Sequence, residues 1–153
     1  MTEETAEILL VEDDPRDVKL TLRALANLKD RIAVARDGEE ALDFIFCRGA
    51  YSNRSGRDPL KLVLLDLKLP KVDGLDVLRE IKANAKTRAL PVVVLTSSKE
   101  EKDLVRSYSI GVNSYVQKPV DFEQFCEAIN ALGLYWLGLN QAPPAKAFSG
   151  DST

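Results

Sequence analysis

Short apolar runs alternate with helix-period segments five times along the chain. That rhythm predicts repeated βα units winding a parallel sheet whose two faces are both covered by helices. The first run, Ile8 to Val11, stops at acidic residues. Asp14 followed by Pro15 then reads as a helix N-cap with the favoured first-turn proline, Asp17 completes a box-like start, and the helix is expected to reach about Leu28. Residues 32–35 form the second strand. The following "DGEEALDFIFCRG" carries Asp37 as cap, Glu40 three residues on and Gly49 as a C-terminal stop.

Residues 48–59, "RGAYSNRSGRDP", are polar and rich in turn formers, so an exposed loop longer than usual is expected there. "KLVLLDLKLP" holds the third and most apolar strand, as befits the centre of a parallel sheet. "VDGLDVLREIK" then places Leu75, Leu78 and Ile81 on one helical stripe, with Asp73 and Gly74 explained as cap and turn. Pro91 precedes a fourth strand at 92–95. Ser98 with Glu101 reads as a capping box for a helix that Gly111 ends, and 114–117 supply a short fifth strand. Asp121 and Gln124 open a last helix with Phe122, Phe125, Ile129 and Leu132 at helical spacing. Its continuation, "GLYWLGL", is apolar all round, which suits an interface better than a monomer's surface. The pattern therefore predicts one α/β domain, a doubly wound five-stranded parallel sheet, over residues 1–139, and a disordered tail at 140–153 containing Pro143 and Pro144.

Charge narrows the function. A net charge of −3 over 153 residues provides no general attraction to nucleic acid or to an anionic membrane surface. The acidic N-terminus does not resemble a signal peptide, and no apolar run approaches the roughly 20 residues of a membrane span, so a cytoplasmic protein is expected. Cys47 and Cys126 lie far apart with no metal-ligand spacing and read as reduced thiols. There is no histidine, so any phosphohistidine in a phosphoryl relay must belong to a partner.

Ligands of a doubly wound sheet bind beyond the carboxyl ends of the strands, where this chain puts Glu12 and Asp13, Asp66, Thr96 and Ser97, and Lys118. Clustered carboxylates repel one another unless a cation sits among them, and a hard, oxygen-seeking ion such as Mg²⁺ meets that need. A carboxylate can attack phosphorus to form an acyl phosphate while Lys118 and the Thr96 hydroxyl neutralise the transferred oxygens, which makes Asp66 the candidate nucleophile.

The blocks "ILLVEDDP", "LVLLDLKLPKVDG", "VVVLTSS" and "YVQKP" resemble the signature segments of response regulator receiver domains, and the likeness spans Glu7 to Leu132. The resemblance implies the flavodoxin-like receiver fold with strand order 2-1-3-4-5. It implies Asp66 as phosphoacceptor, Asp13, Asp66 and the Lys68 carbonyl as direct Mg²⁺ ligands with Glu12 acting through water, and Thr96 and Lys118 on the phosphoryl oxygens. It further implies a switch in which Thr96 moves toward the phosphate while Tyr115 turns inward, and a cis bond between Lys118 and Pro119. Lys68 and Ser98 stand where the family tunes phosphoryl lifetime.

The long loop, "KPVDFEQF" and the aromatic-rich last helix are similar to the small regulators paired with bacterial and cyanobacterial phytochromes. That likeness implies a red-light-sensing histidine kinase as donor. A homodimer through helix four, strand five and helix five is expected, with Phe122, Phe125, Tyr135 and Trp136 at the interface and signalling through protein contacts, no output domain being in prospect. The rivals from other classes fit less well. A haloacid dehalogenase-like phosphatase needs a second aspartate where Lys68 stands, a flavodoxin needs a phosphate loop that is not acidic, and an unphosphorylated adaptor need not keep every core position filled.

Overall fold

The computed structural model describes residues 6–54, 60–97, 100–118 and 121–141. Five parallel strands, β1 (Ile8–Val11), β2 (Ile32–Ala35), β3 (Leu62–Leu65), β4 (Val92–Thr96) and β5 (Ser114–Gln117), form one sheet in the order β2-β1-β3-β4-β5. The expected topology is therefore what the chain adopts. β1 lies between β2 and β3, with Val11 opposite both Ala35 and Leu65, so the chain reverses its winding direction beside β1. Such a reversal opens a crevice at the strands' carboxyl ends.

Alternate strand residues feed two cores. Leu9, Val11, Val63, Leu65, Val92 and Val94 face one cluster, closed by α2 (Gly38–Ile45) and α3 (Gly74–Ala83), with Ile110 at the end of α4 (Glu101–Ile110) packing at its edge. Ile8, Leu10, Leu62, Leu64, Val93 and Leu95 face the other, closed by α1 (Pro15–Ala24) and α5 (Phe122–Gly133). This period-two division is why the strands read as unbroken apolar runs: both faces are buried.

Four boundaries differ from the expectation, each for a local reason. α1 ends at Ala24 rather than near Leu28, and a 3-10 stretch follows over Ala26–Arg31. The chain is drawn out of the helix to enter β2, because the Arg31 carbonyl accepts from Glu7 N at 2.7 Å. α2 stops before Gly49. Cys47 adopts φ +55°, its N–H bonds the Phe44 carbonyl and Arg48 N–H bonds the Asp43 carbonyl, a Schellman stop built on a non-glycine residue. α4 begins at Glu101 with Glu100 in the cap position and no side-chain cap, so Glu101 is the first helical residue and not the third of a box. Ser98 lies outside the described residues. Finally, α5 passes into a π-helical segment, Leu134–Leu139, where Asn140 N–H bonds the Tyr135 carbonyl.

The expected exposed loop is partly packed. Gly49–Tyr51 form a 3-10 turn, the Tyr51 ring meets Phe44 edge-on at 5.0 Å, and its hydroxyl donates to Glu40 Oε2 at 2.6 Å. Arg54 is buried, its guanidinium 3.7 Å over the Phe44 ring, and donates to the Phe44 carbonyl. Residues 55–59, and residues 142–153 of the expected disordered tail, lie outside the described part.

At the amino ends of the strands Glu7 ties three segments together. Its carboxylate takes Arg31 Nε at 2.5 Å and Lys61 Nζ at 3.1 Å, and the Arg31 hydrogen bond is the main cause holding its pKa below 4.5, with burial opposing. A depressed carboxylate contributes stability above its unfolded pKa and loses it as pH falls through the folded value. Glu7→Gln should therefore cost about 1 kcal/mol at neutral pH, since both cationic partners are part-exposed and screened. Urea midpoints measured over a pH series should show the gap between the two proteins closing below about pH 4.5.

Candidate metal and phosphoryl site

The crevice receives its side chains from four strand ends. Glu12 and Asp13 follow β1 and Asp66 follows β3, and the in-register pairing of Val11 with Leu65 brings these carboxylates together. Glu12, Asp13 and Asp66 offer oxygens that all lie within 4.8 Å of one another, with Glu12 and Asp66 buried and Asp13 exposed at the mouth. Three carboxylates so close need positive charge, and an all-oxygen set with one open side fits a hard divalent cation.

In this structure the positive charge comes from Lys118, carried past the end of β5. Its side chain is only 8% exposed, and Nζ donates to Glu12 Oε1, to Asp17 Oδ2 at 2.8 Å and to Asp66 Oδ2 at 3.1 Å. All three ammonium protons thus have carboxylate partners. Burial pushes the Glu12 carboxyl up to about 7, with Asp66's charge adding to the rise and Lys118 opposing it. Burial lowers Lys118, but the hydrogen bonds it donates to Asp17 and Glu12 and the charges of Asp66 and Glu12 outweigh it, so the ammonium is held above its ordinary value.

Asp66 is held from the other side as well. Thr96 ends β4, is fully buried, and donates its hydroxyl to Asp66 Oδ1 at 2.9 Å, while Lys68 N–H reaches the same oxygen at 3.2 Å. Oδ1 is pinned by two donors and Oδ2 faces the ammonium. The floor is tight: a Cβ on Gly74 would lie 2.5 Å from both the Asp66 carbonyl oxygen and Leu67 Cα. Asp73 caps α3 through Leu75 N–H, so cap and glycine together seat that helix under the Asp66 loop.

The structure thus brings together Glu12, Asp13, Asp66, Thr96 and Lys118. The Lys68 side chain is exposed and only its backbone enters the site. Asp14 is a cap, accepting from Arg16 N–H at 2.9 Å. Asp17 is the residue that sequence reasoning missed: as a first-turn acid it looked fully explained by the helix, and only the approach of Lys118 gives it a second task. Tyr115 is half-buried on β5 and packs against the α2/α3 core.

Of the expected interface residues, Phe125 is a correction: at 4% exposure it is part of the α1/α5 core and is not offered to a partner. Trp136 is half-buried against the same core, Tyr135 is exposed, and the Phe122 side chain and the Lys118–Pro119 bond lie outside the described part.

Known proteins resemble this chain in sequence and fold. The family model for the response regulator receiver domain matches residues 8–130. A probable methanogenesis regulatory protein, FilR2 of Methanothrix harundinacea, is 46% identical over 138 residues, 89% of this chain and 86% of that one. The phosphorylated cyanobacterial phytochrome response regulator RcpA superposes with a TM-score of 0.84 at 38% identity, covering 91% of this chain and 99% of RcpA. The Mn²⁺-bound form of Rcp1, a Synechocystis response regulator, gives 0.82 at 38% identity over 89% of this chain and 97% of that one. The acidic cluster described above accordingly fits the divalent metal site of receivers.

Removing the ammonium should leave the carboxylates uncompensated. Lys118→Met is expected to lower stability by about 3 kcal/mol in chelator. Millimolar-range divalent cation should restore most of that loss, because ligand binding to the folded state alone adds stability. Paired urea titrations with and without metal read both effects.

Proposed function

The chain belongs to the response regulator receiver domain family, and on that premise we propose that it is a single-domain response regulator that accepts a phosphoryl group on Asp66 from a sensor histidine kinase. The observation that carries this reading is the buried Asp66 carboxylate held between Thr96 and Lys118 beside Glu12 and Asp13. In the transfer, an Asp66 oxygen forms the new O–P bond as the N–P bond of the donor phosphohistidine breaks, and the leaving imidazole nitrogen takes up a proton. Having no histidine, the chain accepts the group and does not relay it through one of its own.

Asp13, Asp66 and the Lys68 carbonyl would hold a Mg²⁺ ion directly and Glu12 would reach it through water, and the ion would supply charge neutralisation at the phosphoryl oxygens. The chain's residues do the rest. Thr96 and the Lys68 amide fix the plane of the nucleophile before transfer. Lys118 lies within reach of the same carboxylate and is placed to pair with a transferred oxygen. The Thr96 hydroxyl leaves Asp66 for the phosphate, and Tyr115 follows inward from its half-buried position, biasing the packing of α4, β5 and α5. The protein catalyses only its own phosphorylation and dephosphorylation.

The signalling surface is read from exposed apolar groups: Leu104, Val105 and Tyr108 on α4, and Leu134, Tyr135 and Leu139 beyond α5. Beside the latter runs a groove of about 440 Å³ lined by Asn113, Val116, Ala128, Leu132, Tyr135 and Trp136. These features support a homodimer through α4, β5 and α5, without Phe125 as a contact. The likeness to RcpA supports a phytochrome-type kinase as donor, and FilR2, whose name refers to methanogenesis, favours a second reading with a sensor of another stimulus. No described helix is long and apolar enough to cross a membrane, and a cytoplasmic site of action accords with this signalling role.

Incubation with a small acyl-phosphate donor should add one phosphate by intact mass, requiring both Mg²⁺ and Asp66. No adduct in the wild type, or an undiminished adduct in Asp66→Asn, overturns the phosphoacceptor reading. With purified kinases, transfer from a phytochrome-type enzyme is expected, and transfer only from an unrelated sensor would instead favour the second reading. In sedimentation, Tyr135→Ala with Leu139→Ala should weaken self-association by about tenfold or more.

A further inference from the structure

Lys118 has carboxylate partners of two kinds. Glu12 and Asp66 belong to the cluster whose oxygens converge within 4.8 Å, whereas Asp17 does not. Asp17 sits in the first turn of α1, one helical turn beyond Asp13, and is 29% exposed where Glu12 and Asp66 are 4% and 9%. Yet its hydrogen bond from Lys118, 2.8 Å, is shorter than the 3.1 Å bond from the same ammonium to Asp66.

The two cationic demands on this site conflict. A divalent ion entering among Glu12, Asp13 and Asp66 competes for the oxygens that Lys118 now holds. A largely buried ammonium released from both would be left without a counter-charge, which is costly, and that cost would appear as weak metal binding. Of the three carboxylates that Lys118 touches, only Asp17 lies outside the metal-ligand set, and it is rooted in a helix that need not move.

We propose that Asp17 is a positioning residue for Lys118: it retains the ammonium at the α1 side of the pocket when Glu12 and Asp66 turn to a divalent cation, and so keeps it poised for a phosphoryl oxygen. This rests on the phosphoacceptor reading above for its purpose, but the hold itself concerns only Asp17, Lys118 and the metal. The carboxylates facing Lys118 from every side are Glu12 after β1, Asp17 on α1 and Asp66 after β3. Deleting the charge of Asp17 makes the ammonium cling to the other two.

The test is a double-mutant cycle read by calorimetric titration of Mg²⁺ into the full chain, with no phosphoryl donor present. Asp17→Asn should weaken Mg²⁺ binding about five- to tenfold in the wild-type background but within about twofold in Lys118→Met, where there is no ammonium to hold. Asp17→Glu, with the carboxylate restored one methylene further out, should recover most of the affinity, and it guards against a folding defect in the asparagine variant. At saturating Mg²⁺, Asp17→Asn should also slow phosphorylation from the small donor by a similar factor. Equal losses in the two backgrounds would show that Asp17 acts only through its charge, and no loss would show that it does not act at all; either overturns the proposal. A wild type that binds Mg²⁺ with the expected coupling but takes no phosphate would sink the phosphoacceptor reading and leave the hold on Lys118 standing.

Discussion

Like charges a few ångströms apart in a partly dry crevice are the constraint around which the polar end of this molecule is arranged. Parallel strands in register deliver carboxylates to the same rim of the sheet, because Val11 and Leu65 lie side by side and each is followed by an acid. Left alone, such a rim would resist folding. Lys118, brought in from the far edge of the sheet at β5, answers it by bonding to β1, α1 and β3 residues at once. The ammonium is thus a tertiary tie as well as a chemical group, joining parts of the chain about a hundred residues apart. A cation of higher charge density can take over part of the same duty, so the one cluster suits both a resting ion-pair network and a divalent ion.

The apolar periodicity made the sheet legible. Runs buried on both faces at 8–11, 62–65 and 92–96 could only be central parallel strands, and acids or hydroxyls directly after them could only sit at one rim. Caps at Asp14, Asp37, Asp73 and Asp121 were equally readable, since each local pattern carries its own hydrogen bond. What stayed hidden depends on tertiary partners. The end of α1 is decided by the pull of Glu7 on Arg31, the end of α2 by a left-handed Cys47, and the burial of Phe125 by which side of α5 meets α1. Asp17 belongs with these, because its local explanation was complete without Lys118.

Close backbone approaches give the pocket its rigidity. Gly74 lets α3 begin directly beneath the Asp66 carbonyl, and Gly38 lets α2 begin against Val72, where a Cβ would stand 2.0 Å from that residue's carbonyl oxygen. The segment from Asp66 to Gly74 is thereby clamped between two helix starts. On the opposite face Gly133 allows α5 to lie against Leu25 and Leu28 of the first helical stretch, where a Cβ would meet Leu25 Cδ2 at 2.8 Å. In such a frame the half-buried Tyr115, packed at the edge of the α2/α3 core, is less enclosed than the glycine-clamped backbone.

The excursion between α2 and β3 leaves and re-enters at the amino ends of the strands, the pole of the sheet away from the acids. Its stem is stapled by Arg54 lying over Phe44, while Ser52 and Asn53 stand out in solvent. Changes at Ser52 and Asn53 therefore act at the pole of the sheet opposite the carboxylates. For the same reason Ser52 and Asn53 are natural points at which to graft a fluorophore or a fused module: both are exposed, next to the Arg54 staple and away from the acidic rim.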